Sequence, residues 1–480
     1  MDSIATILHG RLEGTDIAGV HSFRGVPYAK PPVGDMRWRA PDPPERWGGV
    51  RPAKQFGPIA IQTAGACFNL RETTQSEDCL SLNVWTTSLD RETLQPVMLW
   101  IHGGGFLGGS GSEDAYDGVS LARQGVTVVT FNYRLGAFGF LAHPDSGANF
   151  AVLDFLAVLN WVGGNIVAFG GDPGNVTIFG QSAGAVAVRT LLSTRRARGL
   201  FQRAIMQSGG FEPMSMAQPW TFARTQAAAQ RLMQRVGVKT IDELRKVPTD
   251  VMRKASHAES GVIPQPGKVH TPANLVWVAV PDELVDADGF PGWADNVPIM
   301  FGCTENEARY FIPPGGPRLP FPRNIGVAIL NLVKPGGVYS WAIVERIATA
   351  LCGAHVQQVM GILRRSGKTP YECLDWLMTS IVFKEPEYQT TKRFVALNRP
   401  FYCYNFVRAS PGARSSRTSA LHTGEIRYVF GNLTADGNYD ETDRAVANAM
   451  QSAWTNFART GVPQCQLKTD SCLGPMRLPN

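Results

Sequence analysis

Two kinds of apolar pattern alternate along the chain. Short, nearly unbroken apolar runs recur at Val97–Ile101, Val126–Phe131, Val176–Phe179, Ala204–Gln207 and Val297–Phe301. They are rich in β-branched or large apolar residues and mostly bounded by Gly, Pro, Asn or Asp, which predicts buried strands. Longer helical patterns lie between or after them, notably Ala151–Ala168 and Ala183–Leu192. Strands without polar alternation are covered on both faces. Alternating with helices, they predict an α/β fold with a mostly parallel central sheet flanked by helices. From about residue 215 to 370 the pattern turns more helical and less regular. We read that stretch as helical insertions covering the site, so that residues 1–480 form one domain. Within it, Pro313–Pro322 (PPGGPRLPFP) predicts a surface loop.

Composition changes this picture little. Of 480 residues, 44% are hydrophobic and 18% charged, which suits a sizeable core and excludes a disordered chain. The net charge of +6 is mild. The densest basic group, Arg195, Arg196 and Arg198, reads as a solvated helix end, so no nucleic-acid partner is expected. No uninterrupted apolar stretch approaches the ~18 residues of a membrane span, and none is expected. The opening MDSIATILHGRLEG lacks a basic, then apolar, leader. That predicts a cytoplasmic chain if this N-terminus is complete, and a secreted one if a leader has been trimmed. The eight cysteines include no CxxC and no Cys/His pair at zinc spacing. Most read as buried free thiols, and the chemistry below needs no metal or organic cofactor.

Candidate chemistry begins at Gly180-Gln181-Ser182-Ala183-Gly184, between a predicted strand and an Ala-rich helix. Glycines at 180 and 184 let a tight, strained turn lift the Ser182 hydroxyl out of the sheet. The helix start adds a positive dipole end and the Ala183 N–H. Upstream, His102-Gly103-Gly104-Gly105-Phe106 follows another predicted strand. Consecutive glycines can turn their amides toward one point, so Gly104, Gly105 and Ala183 are candidate donors to an oxyanion. A phosphate-cradling loop is excluded, because no Lys-Ser, Lys-Thr or GxGxxG follows.

A serine nucleophile needs a base, and the base needs a carboxylate. In chain order Ser, acid, His, the candidate bases are His257, His270, His355 and His422. His422 stands in a polar turn after the strand-like Phe401–Val407. For the acid, Glu305 and Glu307 both follow the strand Val297–Phe301, and spacing barely separates them.

These motifs, with Phe23–Ala29, Ser76–Asn83, Asn132–Arg134, Phe169–Pro173, Gln207–Gly209, Val429–Asn432 and Trp454–Gly461, resemble those of the type B carboxylesterases. That carboxylesterase/cholinesterase family has the α/β-hydrolase fold, and the resemblance runs from about Gly10 to Val462. It implies Ser182 as nucleophile, Glu307 as acid and His422 as base, with Gly302 to Glu307 matching the family's G-x-x-x-x-E run. It also implies Gly104, Gly105 and Ala183 as the oxyanion hole, and Ser208 beside the triad. It further implies ion pairs Arg37–Glu77 and Arg134–Asp154, and a Cys67–Cys79 disulfide as in secreted relatives.

The chain departs from the pattern at several points. Gln181 stands where the family usually has Glu. Ala308 and Arg309 replace the Gly after the acid, and Asp154-Phe155 replaces Asp-Gln. The 67–79 loop has Phe68 but no tryptophan, and residues 464–480 do not match the family's closing segment. The resemblance puts Gln181, Arg309, Tyr310 and Phe311 on the substrate gorge; Arg309 there either offers its charge to a substrate carboxylate or turns outward to solvent or to Glu305. The expected function is hydrolysis of a small-molecule ester through an acyl-enzyme. An amidase or carbamate hydrolase on the same triad is the alternative. A non-enzymatic binding or adhesion protein on this scaffold is opposed by the retained triad and glycine loop.

Overall fold

Successive strand residues point to opposite faces, so an unbroken apolar run serves two cores at once. Val97, Leu99 and Ile101 enter one core, whereas Met98 and Trp100 enter the other. The computed structural model describes residues 3–63, 73–211, 220–260, 275–287, 290–312, 339–416, 418–434 and 438–464. Its strands are Ser3–Ile7 (β1), Gly10–Ile17 (β2), Val20–Pro27 (β3), Val50–Pro52 (β4), Ser81–Thr86 (β5) and Gln95–Ile101 (β6). They continue with Thr127–Phe131 (β7), Gly171–Gln181 (β8), Arg203–Gln207 (β9), Ile299–Thr304 (β10) and Phe401–Phe406 (β11). The sheet order is β1-β2-β3-β5-β7-β6-β8-β9-β10-β11, with β4 beside β2.

The sheet is mixed. From β7 through β6, β8, β9 and β10 to β11 the pairings are parallel. From β1 through β2, β3 and β5 to β7 they are antiparallel. The expected parallel sheet is therefore the half that carries the candidate site. The other half starts as hairpins with two-residue turns. In the second of these, Ala18 and Gly19 both take positive φ (49° and 83°), as a right-twisting two-residue hairpin requires.

Helices Phe150–Asn165 and Ala183–Leu192 cover one face. Helices Ile426–Phe430 and Glu441–Thr460 cover the other, with Trp454 and Phe457 fully buried. A smaller third cluster packs Ala308 and Ile312 under helices Trp341–Cys352, Val356–Arg365 and Pro370–Thr379. The first two of these helices fall within the stretch read as insertions, and Pro370–Thr379 extends that helical layer beyond it. Pro313–Pro322 lies outside the described residues.

Among the described residues one segment, Phe150–Phe169, is long and apolar enough to cross a membrane by length and composition alone, with mean hydropathy 1.6. It is apolar nearly all round because it lies in the core, 67% of that window being buried. Its Asp154 is fully buried against Arg134, whose Nη2 donates to Oδ1 at 2.7 Å. The second implied ion pair also forms. Arg37 grips Glu77 through Nε to Oε2 at 2.6 Å and Nη2 to Oε1 at 2.5 Å. Cys79 is a buried free thiol, and Cys67 lies outside the described residues.

Candidate active site

Parallel strands end on the same edge of a sheet, and the segments that follow them gather there. His102 follows β6, Ser182 follows β8 and Ser208 follows β9; Glu307 and His422 come after β10 and β11.

Ser182 has φ 57° and ψ −124°, a strained conformation for a residue with a side chain. The turn is tight. A Cβ on Gly180 would lie 2.5 Å from the Gly184 backbone, and one on Gly184 would strike the Ile101 carbonyl. The Ser182 N–H donates to the Gln207 carbonyl at 2.8 Å, fixing the turn to β9. Helix Ala183–Leu192 then begins, so the Ala183 N–H belongs to a first turn without an intrahelical acceptor.

The glycine loop lies against this turn. A Cβ on Gly103 would stand 2.7 Å from the Gln181 carbonyl oxygen and 3.3 Å from Ser182 Cβ. Gly104 and Gly105 both have positive φ, 112° and 64°. His102 supports the loop from below: its Nδ1 is 2.8 Å from the Gly103 oxygen and its ring stacks on Tyr133 at 4.4 Å. Burial pushes His102 down to about 4, which keeps it neutral.

Geometry separates the two glutamates. Glu305 is exposed, whereas Glu307 is fully buried with Oε2 2.5 Å from His422 Nδ1. Its other oxygen accepts the Thr304 N–H at 2.7 Å. Burial alone would raise this carboxyl. The His422 ring, Ser208 and the Thr304 amide outweigh burial and hold it below its ordinary value. Ser208 sits at φ 52° with its N–H on the Gly302 carbonyl; its hydroxyl lies beside Glu307 without a well-formed hydrogen bond. The loop carrying His422 pairs with the acid turn, Leu421 bridging to Asn306. Of the other candidate bases, His257 ends helix Thr249–Ala258, His355 is exposed, and His270 lies outside the described residues.

The gorge candidates divide. Tyr310 and Phe311 face His422, with ring centroids 5.7 and 5.2 Å away. Gln181 is instead buried, its amide nitrogen 3.2 Å from His422 Nε2 and 3.4 Å from Nδ1. Arg309 turns to a carboxylate: its Nε donates to the buried Asp375 at 2.7 Å. Of the two readings of Arg309 this is the paired one, with Asp375 in the place of Glu305. Phe383, 5.2 Å from the His422 ring, was missed by sequence reasoning. It sits in the π-helical turn Ser380–Lys384, which no sequence pattern announced.

Glu425 was missed too, although its place three residues past His422 was a signal. It is fully buried, and Gln207 Nε2 donates to its Oε1 at 3.2 Å. Burial first, then the neighbouring Glu307, pushes it up to about 7. The folded chain therefore keeps a proton that the unfolded chain loses near 4.5. Stability falls as pH rises from there to about 7, and the loss is complete above. Glu425→Gln removes that loss. Its stability gain over wild type is expected to be larger at pH 8 than at pH 5, by up to about 3 kcal/mol. Thermal melts at the two pH values check this; an equal difference at both contradicts it.

Among the described residues no group of three or more His, Cys, Asp or Glu side chains could hold a metal ion. The fold is that of an α/β-hydrolase. The carboxylesterase family model matches residues 1–472, and the chain belongs to that family. It is 36% identical to the para-nitrobenzyl esterase of Bacillus subtilis (strain 168), over 96% of this chain and 91% of that protein. It is 34% identical to the fumonisin B1 esterase of Sphingopyxis macrogoltabida, over 95% and 81%. A solved structure of a PNB esterase superposes with a TM-score of 0.79 at 31% identity, covering 97% of this chain and 92% of the other. The chain is thus a carboxylic ester hydrolase.

Proposed function

We propose that the chain cleaves small-molecule esters through an acyl-enzyme on Ser182. The observation that carries this reading is the Glu307–His422 contact of 2.5 Å, set at the parallel edge of the sheet beside the strained Ser182 turn. His422 takes the Ser182 proton through Nε2 while Glu307 holds Nδ1–H, fixing the tautomer and stabilising the imidazolium. The alkoxide attacks the ester carbonyl. The Gly104, Gly105 and Ala183 N–H groups receive the oxyanion, supplying charge stabilisation that a bound ester does not yet need. His422 then protonates the leaving alcohol, and water releases the acid by the reverse sequence. Tyr310, Phe311 and Phe383 give the pocket an apolar wall beside the base. Such a wall favours an uncharged acyl or alcohol group. Titration with a fluorophosphonate probe tests this reading. One equivalent should abolish hydrolysis of a p-nitrophenyl ester, with the adduct on the peptide carrying Ser182. Hydrolysis that persists after labelling, or a labelled residue elsewhere, overturns it.

A further inference from the structure

Helix Pro370–Thr379 reaches down to the turn that carries Glu307 and holds it with two side chains. Asp375 is 4% exposed. Its Oδ2 accepts from Asn306 Nδ2 at 3.0 Å and from Arg309 Nε at 2.7 Å. Its Oδ1 accepts from the Thr379 hydroxyl at 3.3 Å. The Thr379 oxygen in turn accepts the Ala308 N–H at 3.1 Å. Residues 306, 308 and 309, on either side of Glu307, are thus tied to one carboxylate and one hydroxyl. Asn306 faces the other way as well: its N–H donates to the Ala420 carbonyl at 2.9 Å, in the loop that carries His422.

The turn needs such a hold. Glu307–Tyr310 is a single 3₁₀ turn, which has little stability of its own. Glu307 must nonetheless present one oxygen to a ring nitrogen, with carboxylate and ring both buried. A carboxylate fixed on a longer helix supplies that rigidity, and the apolar packing of Ala308 and Ile312 against the same helical cluster adds to it.

We propose that Asp375, acting with Thr379, is a positioning residue that sets Glu307 against His422, and that Arg309 belongs to this clamp instead of to substrate recognition. The proposal rests on the reading of Ser182, His422 and Glu307 as the catalytic groups. It assigns to the helical insertion a part in keeping the triad aligned.

The test measures kcat and KM for a neutral ester, per site titrated with a fluorophosphonate. Asp375→Ala is expected to lower kcat by about ten- to a hundred-fold, the scale of a misplacement near 1 Å, with KM nearly unchanged. Asp375→Asn keeps acceptor and shape and should recover most of that loss. Thr379→Val, which removes the Ala308 acceptor and the long bond to Asp375 but leaves that carboxylate on Asn306 and Arg309, should lower kcat less and again spare KM. It serves as the second variant should Asp375→Ala not fold. Arg309→Ala should leave unchanged the ratio of kcat/KM for a dicarboxylic half-ester to that for its neutral diester. Wild-type kcat in folded Asp375→Ala or in Thr379→Val overturns the clamp. A ten-fold fall of the half-ester ratio in Arg309→Ala overturns the assignment of Arg309. A wild-type protein that does not label at Ser182 overturns the catalytic reading itself, which is a separate result.

Discussion

Ser182→Ala is expected to lower ester turnover by about 10⁵- to 10⁶-fold in kcat, to the level that binding and the oxyanion donors alone supply. The loss is large because the alanine leaves His422 with no proton to take and the acyl group with no oxygen to bond. The fold should be unaffected. Ser182 is only half-buried, and the turn is held by its backbone: the 182 N–H on Gln207 and the close approach of Gly180 to Gly184. Neither depends on the hydroxyl. Steady-state kinetics beside a thermal melt check both halves. A variant that keeps more than about one percent of wild-type kcat places the nucleophile elsewhere.

Glu307→Gln is expected to cost about 10³- to 10⁴-fold in kcat. A glutamine can turn its NH₂ toward His422 Nδ1, which favours the tautomer with its proton on Nε2, the nitrogen that must receive the Ser182 proton. It also removes the charge that steadies the imidazolium. Glu305→Gln is the control, since that side chain is exposed. Its kcat should stay close to wild type. Loss in Glu305→Gln with a mild effect in Glu307→Gln would reverse the roles of the two carboxylates. Melting both variants separates catalysis from folding, because Glu307 also anchors the Thr304 N–H.

What could be read from the sequence was mostly local. The apolar runs located β6, β7, β8, β9 and β10, because a strand buried on both faces has no polar alternation to obscure it. The same filter passed over β1 to β3. Those strands alternate buried with partly exposed residues, as in the buried-exposed pattern of Ser3–Ile7, and so do not form unbroken runs. Around the site, the glycine spacing marked the turn at Ser182, since a backbone crossing that closely tolerates no Cβ. Spacing left Glu305 and Glu307 unresolved. The difference between them is which one the 3₁₀ turn buries, and that depends on Thr379 and Asp375, more than sixty residues downstream. Arg309 looked like a charge free for substrate because its partner lies on an inserted helix. Gln181 and Phe383 show the same limit: their contacts with His422 join segments that only the folded sheet edge brings together.

The most direct test of the account is to quench wild-type protein during turnover of a slowly deacylating ester and weigh its peptides. The account predicts the mass of the acyl group on the peptide containing Ser182, appearing within the burst phase and disappearing as substrate is exhausted. It also predicts no such mass in Ser182→Ala. Turnover at full rate with that peptide never acylated, or with the acyl group on another residue, would contradict it.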